Sequence, residues 1–217
     1  MMEFITIPTE QTTAVTDVVF GIMAVTAALY LHRIGKKDRQ KAALWVWIFA
    51  LLALAAFLGA ITHGIKMSAT LQTLLWYPLY LSLGLLVAFF MVAVIYDLRG
   101  QTMARRILPT MMTIAAVFFG ITLIWPDNFL IFIIYKAAAM LFALGGYIWM
   151  TFRGHPGAGL VAMGILTTII AAGAQAWNTL SFNFIWEFDH NGIYHLIQMI
   201  GIGFLLAGQR KALLSCR

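Results

Sequence analysis

Three side chains that are far apart in the sequence have the chemistry of a metal or acid–base site: Asp17, His63 and His195. Neutral imidazoles bind Zn²⁺ well, and a nearby carboxylate can act as a third ligand or orient a histidine. Spacing alone favours a simpler interpretation, in which the two histidines make hydrogen bonds between helices. The alternative that these residue types leave open is zinc ligation by His63 and His195, with Asp17 as a third ligand or a general base.

A polar stripe includes His195. Asn191, His195 and Gln198 follow the spacing i, i+4, i+7, which places them on one face of a helix. In an apolar segment such a face is expected to point into the protein, where Asn191 and Gln198 can hydrogen-bond to the site residues. His190 lies five residues before His195, about 140° around an ideal helix, and we expect it in a loop or capping position at the edge of the site.

Two charged residues in apolar segments have competing interpretations. Asp17 follows Thr13 and Thr16, so a capping role at the start of the first helix is as reasonable as a functional role. Lys136 is predicted to extend its amine toward the membrane surface, with pairing to Asp17 or to a bound anion as the alternatives. A retinal Schiff base is not indicated, because the last predicted helix, 191–208, has no lysine.

The composition indicates what kind of protein positions these residues. Of the 217 residues, 62% are hydrophobic and 10% are charged, which is more apolar than a water-soluble protein of this length. Several uncharged runs are long enough to cross a bilayer core, which takes about 20 residues. These runs are 42–65, 67–96, 107–126, 154–186 and 190–209. The chain is therefore predicted to be an integral membrane protein.

We predict an all-α fold in which seven transmembrane helices form a single domain over residues 1–217. The expected bounds are 13–33, 43–65, 73–97, 107–125, 129–152, 158–178 and 191–208. The loops between them are short, and the sequence shows no internal repeat.

Lysine and arginine alternate strongly between successive loops, and this alternation sets the predicted orientation. One set of loops, together with the C-terminal tail, contains all the lysines and arginines except Lys66 and Lys136. Since basic loops stay in the cytoplasm, the N-terminus is expected outside and the C-terminus in the cytoplasm, with a bacterial inner membrane as the expected location. The net charge of +6 therefore reflects topology, and nucleic-acid binding is not indicated.

Three stretches of the sequence resemble the CREST superfamily, which includes alkaline ceramidases and the progestin and adipoQ receptors. The predicted second helix ends in Gly-Ala-Ile-Thr-His-Gly at 59–64, and the seventh opens with His-Asn-Gly-Ile-Tyr-His-Leu-Ile-Gln at 190–198. A Glu…Thr…Thr-Asp pattern over 10–17 is similar to that of small bacterial members. The resemblance covers the chain in topology, and it implies a zinc-dependent hydrolase of lipid amides.

Under this resemblance, His63 takes the place of the second-helix zinc ligand, and His195 that of the second histidine in a seventh-helix His-x-x-x-His pair. The first histidine of that pair is Asn191 here, and Gly59 stands where the family has a serine. The early third helix, 74–80, contains no acid where an aspartate is expected. Since a catalytic zinc usually has three protein ligands, a further ligand is expected from this set: Asp17, Asn191, His190 or Glu10.

Two functions from different classes follow. The first is a CREST-like, zinc-dependent hydrolase that acts on membrane lipid amides in an outward-facing polar pocket. The second is a non-enzymatic lipid-binding or lipid-sensing membrane protein, in which the polar cluster locks helices together. A transporter is less well supported, because the two halves of the chain show no matching helix breaks.

Overall fold

The structure is a computed structural model that describes residues 3–125 and 130–215 of the chain. Seven α-helices lie within these residues, and each is long and apolar enough to cross a bilayer. Their bounds are α1 Pro8–Ile34, α2 Arg39–Gly64, α3 Ala69–Arg99, α4 Gln101–Ile124, α5 Leu130–Phe152, α6 Ala158–Ala176 and α7 His190–Ser215. The prediction of an all-helical fold with seven such helices is confirmed; residue 129, the predicted start of the fifth, lies outside the described residues.

Most of the helices are longer than predicted, because their polar ends continue the helix beyond the apolar segment. α1 begins at Pro8, a residue whose fixed φ suits the first helical turn, five residues before the predicted start. α3 begins after Ser68, whose hydroxyl caps the first turn, and it continues through Pro78. The predicted start of the third helix is therefore four residues too late. α7 continues to Ser215, well beyond the predicted end at 208.

Six of the described helices enclose a common interior. α1 packs against α2 and α7, α3 packs against α2 and α5, and α6 packs against α5 and α7, which closes a ring. The ring brings the first and last helices into contact although they are far apart in sequence. α4 packs mainly against α3 and lies outside the ring. Its buried residues are few: Ala104, Ala115, Phe118 and Thr122.

The helices bury small residues and expose large apolar ones. Ala24, Ala27 and Ala143 are fully buried, and small side chains at such positions let helices approach closely. Large apolar side chains on the outer faces are exposed, for example Phe142 at 50% and Ile170 at 56%. An exposed apolar surface of this extent is unfavourable in water and typical of helices that face lipid.

The start of α1, the end of α2 and the start of α7 lie at the same end of the ring. An extended segment before α1 pairs with the residue that follows α2, where the Lys66 N–H donates to the Glu3 carbonyl at 2.8 Å. A short antiparallel hairpin precedes α7, formed by β1 Phe182–Asn183 and β2 Glu187–Phe188. This end of the ring positions the candidate site.

Candidate functional site

A cavity of about 630 Å³, called the main cavity below, opens at this end of the ring. It lies between the starts of α1, α3, α5 and α7 and the ends of α2 and α6. The side chains of Asp17, His63 and His195 all line it, so the three candidate residues meet in one cavity. His190 and Asn191 line it as well. Gln198 is buried two turns beyond His190 along α7.

The main cavity is polar near the helix ends and apolar further in. On α2 the lining runs from His63 through Gly59 to Leu52, a depth of about 16 Å at 1.5 Å per residue. On α1, Phe20 lies one turn deeper than Asp17. Other apolar residues of the deeper lining are Ala55, Ala56, Leu79 and Leu83. The lining therefore matches an amphiphilic molecule, with polar residues near the helix ends and apolar residues further in.

Asp17 and His195 form a buried pair between α1 and α7. His195 Nε2 lies 3.2 Å from Asp17 Oδ1, and the two side chains are 9% and 7% exposed. His195 Nδ1 is 2.9 Å from Thr16 Oγ1, whose hydroxyl donates to the Thr13 carbonyl at 2.9 Å. Since a hydroxyl has one proton to donate, Nδ1 is the donor to Thr16, and Nε2 faces the Asp17 carboxyl group. Such a pair can hold or transfer a proton at the cavity wall.

Asp17 lies within α1 and not at its start. The helix begins at Pro8, and its N-cap residue is Ile7, which makes no side-chain capping bond. The predicted capping role of Asp17 is therefore wrong, because the free N–H groups of a helix are confined to its first turn. The carboxylate instead faces Gly59: a Cβ added there would lie 2.7 Å from Asp17 Oδ2. Glycine at position 59 leaves the space that the carboxylate takes up.

His63 has a different partner. Its Nδ1 lies 2.6 Å from Glu10 Oε2, and the two side chains are 20% and 34% exposed. The imidazole meets the ring of Trp76 edge-on, with the ring centroids 6.1 Å apart. The two imidazoles thus face the same cavity but contact separate carboxylates, Glu10 for His63 and Asp17 for His195.

The zinc ligand set that the resemblance implies does not fit this arrangement. Within residues 3–125 and 130–215, no three His, Cys, Asp or Glu side chains are grouped so that they could hold one metal ion. Both ring nitrogens of His195 already have partners, Thr16 and Asp17. A catalytic zinc normally has three protein ligands. Zinc binding by His63 and His195 stays a prediction, to be tested by metal analysis.

Asp189 caps α7 and connects it to α1. Its Oδ1 accepts from the backbone N–H groups of Asn191 at 3.0 Å and Gly192 at 2.9 Å. The same oxygen accepts from Thr13 Oγ1 at 3.1 Å. His190, which we expected in a loop or capping position, is the first residue of α7, and the capping side chain is that of its neighbour Asp189.

Two buried glutamines near the site have an unused acceptor. Gln175 lines the main cavity and donates to Asn191 Oδ1 at 3.4 Å, and Gln198 donates to Thr168 Oγ1 at 2.9 Å. Neither side-chain Oε1 has a hydrogen-bond partner among the described residues. A buried amide oxygen without a donor costs about 1–3 kcal/mol. Gln175 Oε1 is therefore suited to accept a hydrogen bond from a molecule in the cavity. Asn178, predicted as part of the sixth helix, also lines the cavity but follows the end of α6.

Lys136 is buried and does not extend toward the membrane surface. The residue is 4% exposed, and its Nζ donates to the Tyr194 hydroxyl at 2.9 Å. The amine also lies 4.4 Å from the centroid of the Tyr194 ring and 5.5 Å from that of Phe132. The predicted extension to the surface is wrong, because these two aromatic side chains hold the amine inside the bundle.

A second buried polar cluster, at the opposite end of the bundle, was not identified from the sequence. Lys41 Nζ lies 2.8 Å from Asp97 Oδ1, and the Tyr147 hydroxyl donates to Asp97 Oδ2 at 2.7 Å, which joins α2, α3 and α5. Gln209 of α7 is fully buried beside Tyr147 in the same cluster. One signal was available: a lysine at the start of the second helix and an acid at the end of the third fall at the same depth.

No curated protein and no solved structure matches the chain. A family profile matches residues 12–213, a region that contains the whole lining of the main cavity. The match covers far more than half of the chain, and the protein therefore belongs to the family described as "Family of unknown function (DUF6962)".

Proposed function

We propose that this protein lies in a bacterial inner membrane with its N-terminus outside and its C-terminus in the cytoplasm. The basic residues support this orientation, because basic loops stay in the cytoplasm. Those at the end opposite the main cavity are Arg33, Lys36, Lys37, Arg39, Lys41, Arg99, Arg105, Arg106, Arg153, Arg210 and Lys211. At the cavity end, Lys66 Nζ is paired with Glu3 Oε1 at 2.8 Å. In this orientation the main cavity opens on the outside.

Two C-terminal fusions test the orientation. A green fluorescent protein fused to the C-terminus is expected to fluoresce, and an alkaline phosphatase fused there is expected to be inactive, because each folds on only one side of the membrane. The reverse result would invert the proposed topology and place the cavity in the cytoplasm.

We propose that the main cavity binds an amphiphilic membrane lipid. The observation that carries this proposal is the order of its lining, with Asp17, His63 and His195 near the opening and Leu52 at the deep end. In the proposed orientation this order is the same as that of a lipid in the outer leaflet, with its head group outward. The volume of about 630 Å³ is in the range of small-molecule sites.

The polar end of the cavity favours a head group that donates hydrogen bonds. Gln175 Oε1 lacks a donor among the residues that the structure describes, and Asn191 also lines the cavity. The Asp17–His195 pair adds an acid–base pair to the lining of the same cavity. A hydroxyl or an amide N–H on the lipid head group would satisfy these acceptors.

Lipid retention tests the binding proposal. The protein is purified in a mild detergent, and co-purified lipids are extracted and quantified by mass spectrometry. We expect one lipid species to be enriched in the wild type and to be depleted in Ala56→Phe, which fills the deep end of the cavity. Leu54→Phe is the matched control, because Leu54 lies on the same helix and is 48% exposed on its outer side. Equal retention by Ala56→Phe, with an unchanged melting temperature, would contradict the proposal.

A second candidate function is hydrolysis of a lipid amide, as the CREST resemblance implies. The specific observation in its favour is that the Asp17–His195 pair faces the cavity in which His63 also lies. The pair is placed to take a proton from a water molecule that attacks a carbonyl group at the polar end. We assign no step to zinc, because the side chains of residues 3–125 and 130–215 present no set of three ligands.

Product analysis distinguishes hydrolysis from binding alone. Purified protein is incubated with an N-acyl sphingoid lipid, and free fatty acid is measured by mass spectrometry. For a hydrolase, Asp17→Asn and His195→Gln are expected to abolish release, while Ile170→Ala, on the lipid-facing surface, leaves it unchanged. Release that is equal in all four proteins would exclude this catalytic role, and no release by the wild type would leave lipid binding as the function.

A further inference from the structure

A smaller cavity of about 260 Å³ lies between α5 and α6, and it is called the α5–α6 groove below. Lys136 is part of its wall, and Ile133 and Ala176 line both this groove and the main cavity, so the two spaces adjoin. Buried residues of the groove are Met140, Thr168 and Ala172. Exposed residues at its rim are Leu141, Gly173 and Ala176. The groove therefore connects the interior of the ring with its outer surface.

The Lys136 amine lies where the two cavities meet. It donates to the hydroxyl of Tyr194, a residue of the main cavity lining. In the part of the chain that the structure describes, no carboxylate oxygen lies within 4.0 Å of Lys136 Nζ. An ammonium group has three N–H donors, and a buried charge is costly without a counter-charge. Two donors are therefore available for an acceptor that neither carboxylate of the site, Asp17 or Glu10, supplies.

The remaining lining of the groove is suited to an acyl chain. Its residues other than Lys136 and Thr168 are Ile, Ala, Met, Leu and Gly. The hydroxyl of Thr168 is already used, since it donates to the Gly164 carbonyl at 2.9 Å. At Gly173 an added Cβ would meet no atom of the described residues within 4 Å, so the described part of the groove is open there.

We propose that the ligand of the main cavity is an amphiphile with an oxyanion in its head group, which binds the Lys136 amine beside the Tyr194 hydroxyl. An acyl chain of this ligand lies in the α5–α6 groove, which is its route from the bilayer. This assignment rests on the proposed lipid binding and adds the charge of the ligand and the side from which it enters. A carboxylate and a phosphate share the required chemistry.

Binding of a charged and an uncharged probe tests the assignment. The protein is placed in nanodiscs of phosphatidylcholine, and the binding of tritiated palmitate is compared with that of tritiated hexadecanol. We expect Lys136→Met to weaken palmitate binding by about tenfold or more, since it removes a charge-assisted hydrogen bond. Lys136→Arg is expected to retain most of the binding, and hexadecanol binding is expected to be similar in all three proteins.

The groove is tested with a pair of glycine variants. Gly173→Leu fills the groove, and we expect it to weaken palmitate binding as strongly as Lys136→Met. Gly145→Leu is the matched control, because Gly145 lies on α5 outside the groove and its added Cβ also meets no described atom within 4 Å. Equal palmitate binding by the wild type and Lys136→Met would overturn the role of the amine. Equal palmitate binding by Gly173→Leu and Gly145→Leu would overturn the proposed route through the α5–α6 groove.

A competing lipid identifies the source of the oxyanion. If phosphatidylglycerol in the nanodisc displaces palmitate from the wild type, the ligand is an acidic phospholipid; if it does not, the ligand is a free acid. Suppose that the wild type binds neither palmitate nor hexadecanol better than Lys136→Met does, and still retains its co-purified lipid. This result would overturn the oxyanion assignment alone. Loss of that lipid retention in Ala56→Phe would then still support the proposed lipid binding.

Discussion

The Asp17 carboxylate of α1 takes up the space that a side chain at position 59 of α2 would need. A Cβ on Gly59 would lie 2.7 Å from Asp17 Oδ2 and 3.1 Å from Asp17 Cγ. The CREST resemblance places a serine at this position, so in this chain a carboxylate from the first helix stands where that resemblance puts a hydroxyl. The two positions are therefore expected to depend on each other.

Gly59→Ser is expected to destabilise the protein by about 1–3 kcal/mol, because neither the carboxylate nor the α2 backbone can move without disturbing a packed interface. The measurement is the melting temperature of the purified protein in detergent. In an Asp17→Ala background the same change is expected to cost less, since the carboxylate that it meets is gone.

A glycine elsewhere controls for the loss of glycine itself. Gly203→Ser, on α7, is expected to have little effect, because an added Cβ there meets no atom within 4 Å in the part of the chain that the structure describes. If Gly59→Ser and Gly203→Ser lowered the melting temperature equally, the proposed dependence between positions 17 and 59 would be refuted.

The Asp17–His195 contact is expected to couple α1 and α7 energetically. Asp17→Ala and His195→Ala should each leave a buried polar group without its contact, at a cost of about 1–3 kcal/mol, and the double variant should cost less than the sum. The Glu10–His63 pair is the comparison, since its side chains are 34% and 20% exposed, and its coupling should stay below about 1 kcal/mol. Additive effects at Asp17 and His195 would show that the contact contributes nothing to stability.

The number of helices and the depth of the site residues were predictable because both follow from one-dimensional patterns. Long uncharged runs fix the helices, and counting from their ends places Asp17, His63 and His195 at one level. The partner of each side chain was not predictable, since it depends on where each helix begins and on how it is rotated against its neighbours. The choice of Glu10 as the partner of His63 depends on this, because the first turn of α1 lacks an apolar pattern and was predicted to lie outside the helix.

Lys136 shows a second limit of the sequence. Its burial depends on Tyr194, which belongs to another helix and lies 58 positions away in the sequence. Phe132, one turn before Lys136, supplies a local signal, because an aromatic residue at i−4 can contact a lysine side chain in a helix. That signal alone does not distinguish a lysine at the lipid surface from one inside the bundle.

The buried Lys41–Asp97 pair is expected to stabilise the end of the bundle opposite the main cavity. The side chains are 11% and 4% exposed, so Lys41→Met leaves the Asp97 carboxylate buried without its counter-charge, at a cost of about 3–5 kcal/mol. The double variant Lys41→Met/Asp97→Asn is expected to recover much of this loss. Lys66→Met is the control at an exposed pair, where Lys66 and Glu3 are 43% and 73% exposed, and it should change stability by less than about 1 kcal/mol. Similar losses at the two lysines, measured as melting temperatures, would contradict the difference in burial.

Zinc analysis decides between the two functions that the sequence predicts. We expect purified wild-type protein and the His63→Ala/His195→Ala double variant to have the same zinc content, because the two imidazoles contact separate carboxylates and no group of three ligands is present among the residues that the structure describes. The measurement is elemental analysis by mass spectrometry after dialysis against a low zinc concentration. One zinc per chain in the wild type and none in the double variant would show that both imidazoles turn toward a shared ion. The Asp17 carboxylate would then be free to act as a third ligand or as a base, and the hydrolase would become the better-supported function.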